Sequence, residues 1–414
     1  MKKILWIIIF SICSSVYAQS NEKISNDLCE TESLLNAITC GQYYGRIKTL
    51  YYTTDNAYFN NFNQENTSMG GMLKYSTQTY KGMSLGISYN FIRTMSGNSI
   101  DEGGIAELAE NKDGVGEAYL SYQLNKLNFK VGKQTLDIPF IGHYDYRIAP
   151  PLYRALDIFY GNQDNYIRLT GINGFQSYMD DQIKKSTTYD NDIYIERAYS
   201  LGGLTTTKFS DYSLKSQFWI QNYANISNLA YTEFNLNFDD QGFKPNIGIQ
   251  AIYSKNTGDN LKGNINSLSY GTQLRFKPSE NTSVKFGYNH IKSNEFSRNN
   301  GALYAPYMND VTSSPYYAAP YFTVLEAYGS GNAYSLSSDV NVTQNLKSGI
   351  QLSYLKTKKY YEEKDNILLE YLYYINYNFD NFAKGLNLAY IGGMQTMPSA
   401  DNFYQSRIEF SYIF

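Results

Sequence analysis

The sequence has 414 residues, with 38 acidic and 35 basic side chains and a net charge of −3 at pH 7. Apolar residues make up 43% of it, mean hydropathy is −0.44, and tyrosine alone occurs 43 times. A large soluble core would draw on more Leu, Val and Ala. A structure that buries aromatic and β-branched residues on one face, with water on the other, would not.

The chain opens like an export signal. Lys2 and Lys3 form the charged region, Ile4 to Ile12 the apolar region, and Val16-Tyr17-Ala18 the small-residue site, which predicts cleavage after Ala18. The apolar run is too short to span a bilayer, which needs roughly 20 residues. Ile12 precedes Cys13 where a lipoprotein signal has a small residue, so lipidation is set aside. Taking Lys2 and Lys3 from the 35 bases leaves 33 against 38 acids, a mature charge of −5. No later stretch is an apolar run long enough for a membrane helix. A mature membrane form must therefore be a closed barrel.

Cys29 and Cys40 are the cysteines left after cleavage. In an exported chain they read as a disulfide worth somewhat under ~3 kcal/mol on the chain-entropy model, the alternative being two free thiols on a short helix. Asp27 to Ile38 has helical spacing. A continuous helix would hold the two cysteines ~16 Å apart, so a bond requires the helix to break near Thr39.

From residue 42 the dominant period is two. Eighteen alternating segments follow, at 42–53, 67–78, 82–93, 113–124, 126–136, 154–161, 165–177, 196–210 and 212–224, then 228–239, 243–255, 265–277, 281–293, 332–343, 345–357, 366–379, 384–397 and 402–414. Short turns (79–81, Asn125, 162–164, Asp211, 240–242, 278–280, Gln344, 380–383) alternate with long loops (54–66, 94–112, 137–153, 178–195, 256–264, 294–331, 358–365). Two connections on the long side, 225–227 and 398–401, are short. Long on one side and short on the other is how outer-membrane barrels are built. In the last segment Tyr404, Ile408, Phe410, Tyr412 and Phe414 share one face, interrupted by Ser406. Gln405, Arg407, Glu409 and Ser411 share the other. An aromatic end on such a strand resembles the signal read by the bacterial barrel-assembly machinery.

GRIKTLYY (45–52), GEAYLSYQL (116–124) and KVGKQTLDIPFIGHYDYRIAPPLYRAL (130–156) resemble the OprD-type outer-membrane porins, Campylobacter-like members in particular. The Gly-Lys-Gln, Asp-x-Pro and Asp-x-Arg-x-x-Pro elements recur in order, although Tyr153 stands where many members have Phe. The resemblance implies a transmembrane antiparallel β-barrel of 18 strands with an inward-folded third extracellular loop. In domain terms it implies a signal peptide (1–18), a periplasmic segment (19–41) and a porin barrel (42–414) in the bacterial outer membrane. It also implies passive diffusion of small hydrophilic solutes, with no cofactor.

Strand parity assigns a lumen. On 265–277, Leu268, Tyr270, Thr272, Leu274 and Phe276 face lipid, so Gln273, Arg275 and Lys277 face inward. The same parity turns Arg46, Lys48, Lys130, Arg168, Lys215, Lys285, Lys347 and Arg407 inward, against Glu117, Glu233, Glu370 and Glu409. Ten bases over four acids suggest a cationic ladder favouring carboxylate-bearing solutes such as amino acids, organic acids or peptides. This is similar to the basic ladder of the OprD family. The alternative is that these bases simply pair with nearby acids.

The third loop contributes Asp137, His143, Asp145, Arg147 and Arg154 as constriction residues. Asp145 and Arg147 either present opposite charges to a solute or pin the loop to the wall, and Pro139, Pro150 and Pro151 suit both roles. A second loop, 294–331, is rich in Tyr304, Tyr307, Tyr316, Tyr317 and Tyr321 and is expected to fold inward or cap the mouth.

An enzyme is disfavoured: His143 lacks a nucleophile, and His290 lies on a lipid-facing parity. No metal spacing, phosphate loop or nucleic-acid signature occurs. Loop acids such as Asp101, Glu102, Asp180 and Asp181 give only an unspecific calcium motif. About twenty residues before the first strand are too few for the plug of a TonB-dependent transporter. A non-conducting surface adhesin displaying its loops is the alternative function. Expected partners are outer-membrane lipid, small solutes and the barrel-assembly machinery, with no nucleic acid, in a monomer or weak trimer.

Overall fold

A computed structural model describes residues 33–142, 147–178, 180–187, 190–238, 242–307, 314–358, 366–380, 383–398 and 400–414. Its strands in chain order begin with β1 (Gln42–Asp55), β2 (Gln64–Ser76), β3 (Met83–Gly97), β4 (Lys112–Leu124), β5 (Leu127–Gln134) and β6 (Leu152–Gly161). Next come β7 (Asn165–Gln176), β8 (Ala198–Lys208), β9 (Ser213–Tyr223), β10 (Ser227–Asn237), β11 (Asn246–Asn256) and β12 (Asn266–Ser279). The last six are β13 (Thr282–Ile291), β14 (Ser330–Asn341), β15 (Leu346–Lys358), β16 (Asn366–Asn378), β17 (Leu386–Met397) and β18 (Ala400–Ile413).

All eighteen belong to one sheet, and each pairs antiparallel with its neighbours in sequence. β1 closes on β18 in a register running from Arg46↔Ile413 to Asp55↔Tyr404. Closure leaves no sheet edge, so every strand has a partner on both sides and main-chain polar groups are satisfied within the wall.

The pleat then separates the two faces. On β18, Tyr404, Phe410 and Tyr412 are exposed while Gln405, Arg407 and Ser411 are buried. On β12, Leu268, Tyr270 and Leu274 are exposed while Ser267, Ser269 and Gln273 are buried. Apolar residues outside and polar ones inside invert the arrangement of a soluble protein. The wall is built for a hydrocarbon solvent.

The strands start and stop within four residues of the sequence expectation. The largest difference is at β3, which runs on to Gly97 because its last residues stay paired with Asn66–Ser68 of β2. A small hairpin, Ser186–Thr187 with Asp190–Tyr194, occupies the long connection after β7 and was not legible as alternation. Before the barrel, a six-residue helix, α1 (Leu34–Thr39), is capped by Ser33, whose side chain accepts from the Asn36 amide. It ends at Cys40, which is disulfide-bonded. Cys29 and the export signal lie outside the described residues.

Candidate functional site

Two long connections cross polar inner-face positions of the wall. The first follows β5. Pro139 has no N–H to give a ladder, and its carbonyl instead accepts from Gln221 Nε2 of β9 at 2.7 Å. The Asp137 carbonyl accepts from Arg168 of β7 at 2.9 Å. Phe140 is fully buried and meets the Tyr231 ring of β10 edge-on at 5.7 Å. At the far end of the same connection, Lys48 Nζ donates to the Arg147 carbonyl at 3.1 Å and Arg46 donates to the Ile148 carbonyl at 3.3 Å. The connection therefore touches β7, β9 and β10 at one end and β1 at the other.

Of the five residues expected at a constriction, His143 and Asp145 lie outside the described residues. Asp137 is exposed. Arg147 is buried in an ion pair with Glu107 of the preceding long loop, and its guanidinium lies over the Tyr52 ring at 5.1 Å. Arg154 is a correction. It shares the exposed face of β6 with Leu156 and Tyr160, and its guanidinium is held by Asn173 Oδ1 at 2.8 Å. The loop ends before residue 152, and strand parity from there turns Arg154 outward.

The second connection, between β13 and β14, is stitched to the wall by a row of side chains. Gln250 of β11 donates to the Pro315 carbonyl at 2.8 Å, and Asn289 of β13 accepts the Ala318 amide at 2.9 Å. Ser335 of β14 and Gln351 of β15 donate to the Tyr317 and Ala319 carbonyls at 3.2 and 3.1 Å. Glu370 of β16 accepts the Tyr321 and Phe322 amides at 2.6 and 2.9 Å, and Gln395 of β17 reaches Thr323 at 3.0 Å. Four of these strands, β11, β13, β15 and β17, supply side-chain amides, and β16 supplies a buried carboxylate that takes two N–H donors at once. Tyr307 of the same connection packs edge-on against Tyr153 at 5.6 Å and at a tilt against Phe175 at 5.0 Å, joining the two connections in one apolar cluster. Burial holds the Tyr307 and Tyr317 phenols well above the usual phenol range and pushes Tyr328 up to about 12. All three stay neutral donors at any physiological pH.

The ten bases expected along the lumen divide by their partners. Lys48 pairs with Glu409 at 3.1 Å, Arg168 with Asp157 at 2.8 Å, and Lys130 with Glu117 at 3.8 Å while lying over the Tyr119 ring. Arg407 lies beneath the Tyr52 ring at 4.4 Å, and Arg46 serves the third-loop carbonyl already described. Lys347 sits over Tyr374 at 5.8 Å, Lys277 is half-buried, and Lys215 is exposed toward the short-turn end. Arg275 and Lys285 face each other across β12 and β13.

Three inner-face residues were missed by sequence parity. Lys74 shares Glu117 at 2.5 Å, Asp157 is the partner of Arg168, and Asp339 accepts the Tyr374 hydroxyl. Their alternation was visible, but on strands where apolar residues occupied both faces. Of the loop acids, Glu102 closes a capping box on Ser99, whose backbone and hydroxyl donors hold its carboxyl below the usual range, and Asp180 pairs with Lys184. His290 Nδ1 lies 2.9 Å from Asn332 Oδ1, and its ring packs beside the exposed Tyr270 at 5.1 Å.

No protein-family model and no curated protein matches the sequence. Solved structures do match it. OpdK, an outer membrane protein of Pseudomonas aeruginosa, aligns with a TM-score of 0.78 at 12% identity, covering 90% of this chain and 98% of that one. OpdG of the same organism gives 0.79 at 13% identity, covering 91% and 99%. A BenF-like porin from Pseudomonas fluorescens gives 0.78 at 13% identity, with the same coverage. This chain has their barrel fold. OpdK has also been solved with vanillate, and in that form it aligns with a TM-score of 0.74 at 12% identity, covering 91% and 99%.

Proposed function

We propose that the chain is an outer-membrane channel of the OprD type, passing small hydrophilic solutes and favouring those that carry a carboxylate. The observation that carries the reading is the closed eighteen-stranded wall, apolar outside and polar inside, in the fold of known outer-membrane channels. Both inner-face connections are read as folded into the lumen, because their carbonyls and amides bond to wall positions opposite the apolar face. A lumen narrowed in this way selects by contact rather than by size alone. The inner-face bases support attraction of anions, and the carboxylate preference is in keeping with the vanillate held by OpdK. Cys29 is taken as the partner of Cys40. The barrel-assembly machinery is taken to read β18, where Tyr412 and Phe414 are exposed.

Two measurements test the reading. Purified folded protein in planar bilayers should give discrete openings; their absence would favour a surface-displayed adhesin instead. Liposome swelling should be faster with carboxylate-bearing solutes than with neutral sugars of the same size. Equal rates would sink the carboxylate preference and leave the channel intact.

A further inference from the structure

Arg154, turned outward on β6, stands directly opposite Lys133 of β5. Residues paired in this way point to the same side of a sheet. One outward step along, the same register pairs Val131 with Leu156, both exposed on the apolar face. Lys133 and Arg154 therefore lie on the outer surface of the wall and not in the lumen. They top the apolar belt. Below them on the same two strands come Val131, Leu156 and Tyr160. Just above, β5 ends at Gln134 and β6 begins at Leu152, where the long connection takes over. Long connections mark the extracellular side of such barrels, so the two cations stand at the headgroup level of the outer leaflet.

Like charges directly opposite each other repel. The neighbouring outward cation, Arg93 of β3, is compensated by an ion pair with Asp113. Among the described residues Lys133 and Arg154 have no acid in salt-bridge contact. Arg154 is also held in position: Asn173 Oδ1 accepts from its Nε at 2.8 Å, and the Asn173 carbonyl accepts from its Nη2 at 3.1 Å. That engages two of the five guanidinium donors. Lys133 gives one ammonium proton to the Val115 carbonyl. The remaining donors of both groups are uncommitted within the described chain. A lone lysine at this depth would reach up into water. A guanidinium fixed by Asn173 and facing an ammonium is instead a preformed pair of anion contacts.

We infer that Lys133 and Arg154 form a docking site for the phosphate of an outer-leaflet glycolipid. One phosphate offers several anionic oxygens, enough to meet the guanidinium fork and the ammonium together and to cancel their repulsion. Acyl chains lying on Val131, Leu156 and Tyr160 place a headgroup at this height, so the apolar belt and the cations form one continuous lipid surface. Asn173 is exposed beside the doublet and keeps its Nδ2 for a sugar hydroxyl. The inference rests on the membrane barrel and not on conduction.

Native mass spectrometry of the folded protein in detergent tests it, titrating with lipid A, with the same lipid stripped of its phosphates, or with phosphatidylglycerol. Lipid A should bind the parent ~10-fold more tightly than either of the others. In the double variant Lys133→Gln/Arg154→Gln, lipid A affinity should fall ~10-fold while affinity for the stripped lipid holds. Lys133→Arg keeps the charge and should retain binding, and heat-modifiable gel mobility confirms that each barrel is closed. Lys255→Gln removes an exposed cation on β11 whose cross-strand neighbours are Asn228 and Asn266, and should stay within about twofold of the parent.

Equal affinity of the parent for lipid A and the stripped lipid overturns the site. So does a double variant that binds lipid A like the parent, or an equal loss in Lys255→Gln. Phosphatidylglycerol binding as tightly as lipid A overturns the glycolipid, and displacement of lipid A by equimolar inorganic phosphate overturns the lipid altogether. Absence of channel openings would sink the channel reading and leave this site standing.

Discussion

Two arcs of the same wall carry the same residue types and use them differently. On β1, β2, β4 to β7 and β18, lysines and arginines are tied to acids or to loop carbonyls: Lys48 to Glu409, Lys74 and Lys130 to Glu117, Arg168 to Asp157, Arg46 to Ile148. On β12 and β13, Arg275 and Lys285 face each other with no acid in salt-bridge contact among the described residues, Asp339 acting on both from β14. The first arc spends its charge on holding the third loop and neighbouring strands in place. A count of inner-face bases treats the two as one ladder, and only the partners separate them.

Substitutions can break this contrast in order of expected size. Glu370→Leu should have the largest effect, since it strips the acceptor from the Tyr321 and Phe322 amides and leaves both buried. A loss of roughly 2–5 kcal/mol is expected. Thermal unfolding should fall, and single-channel current should become noisier as the connection between β13 and β14 loosens. An unchanged melting curve would show that the carboxylate is not what fastens it.

Lys48→Met on the paired arc comes next. It leaves Glu409 unpaired and the Arg147 carbonyl without its donor, at about 1–3 kcal/mol. The double variant Lys48→Met/Glu409→Leu should recover part of that loss, and a double-mutant cycle in denaturant measures the coupling. Ion selectivity should move little in either variant.

Lys285→Gln on the unpaired arc should do the reverse. Removing one of two facing cations relieves repulsion, so stability should hold or rise by a few tenths of a kcal/mol, roughly. The reversal potential in a KCl gradient should meanwhile shift toward cations. A shift of equal size in Lys130→Gln would erase the distinction between the arcs. Smallest of all is Arg93→Ala, whose partner Asp113 is also exposed. Its cost should stay within about 0–1 kcal/mol, read from the same denaturant titration.

The third loop shows how far local reading reaches. Its prolines marked a segment that leaves the ladder, and Asp145 with Arg147 left open whether charge there orients a solute or pins the chain. Arg147 turns out to be bound to Glu107, forty residues upstream. Arg154 looked like part of the same cluster because it is near in sequence, but it lies two residues inside β6, where the pleat sends it outward. Glu370 read as one more lumen acid until its two amide partners from the β13–β14 connection were seen.

The sequence by itself determined the strands and their faces, because a period of two and turn residues are local properties of the chain. It determined the alternation of long and short connections, and with it the barrel. Tertiary structure alone decided which charges are spent and which are free. A pair such as Lys48 and Glu409, 361 residues apart, exists only because the last strand closes on the first. Arg275 and Lys285 face each other because of strand register, which sets partners across the sheet rather than along it.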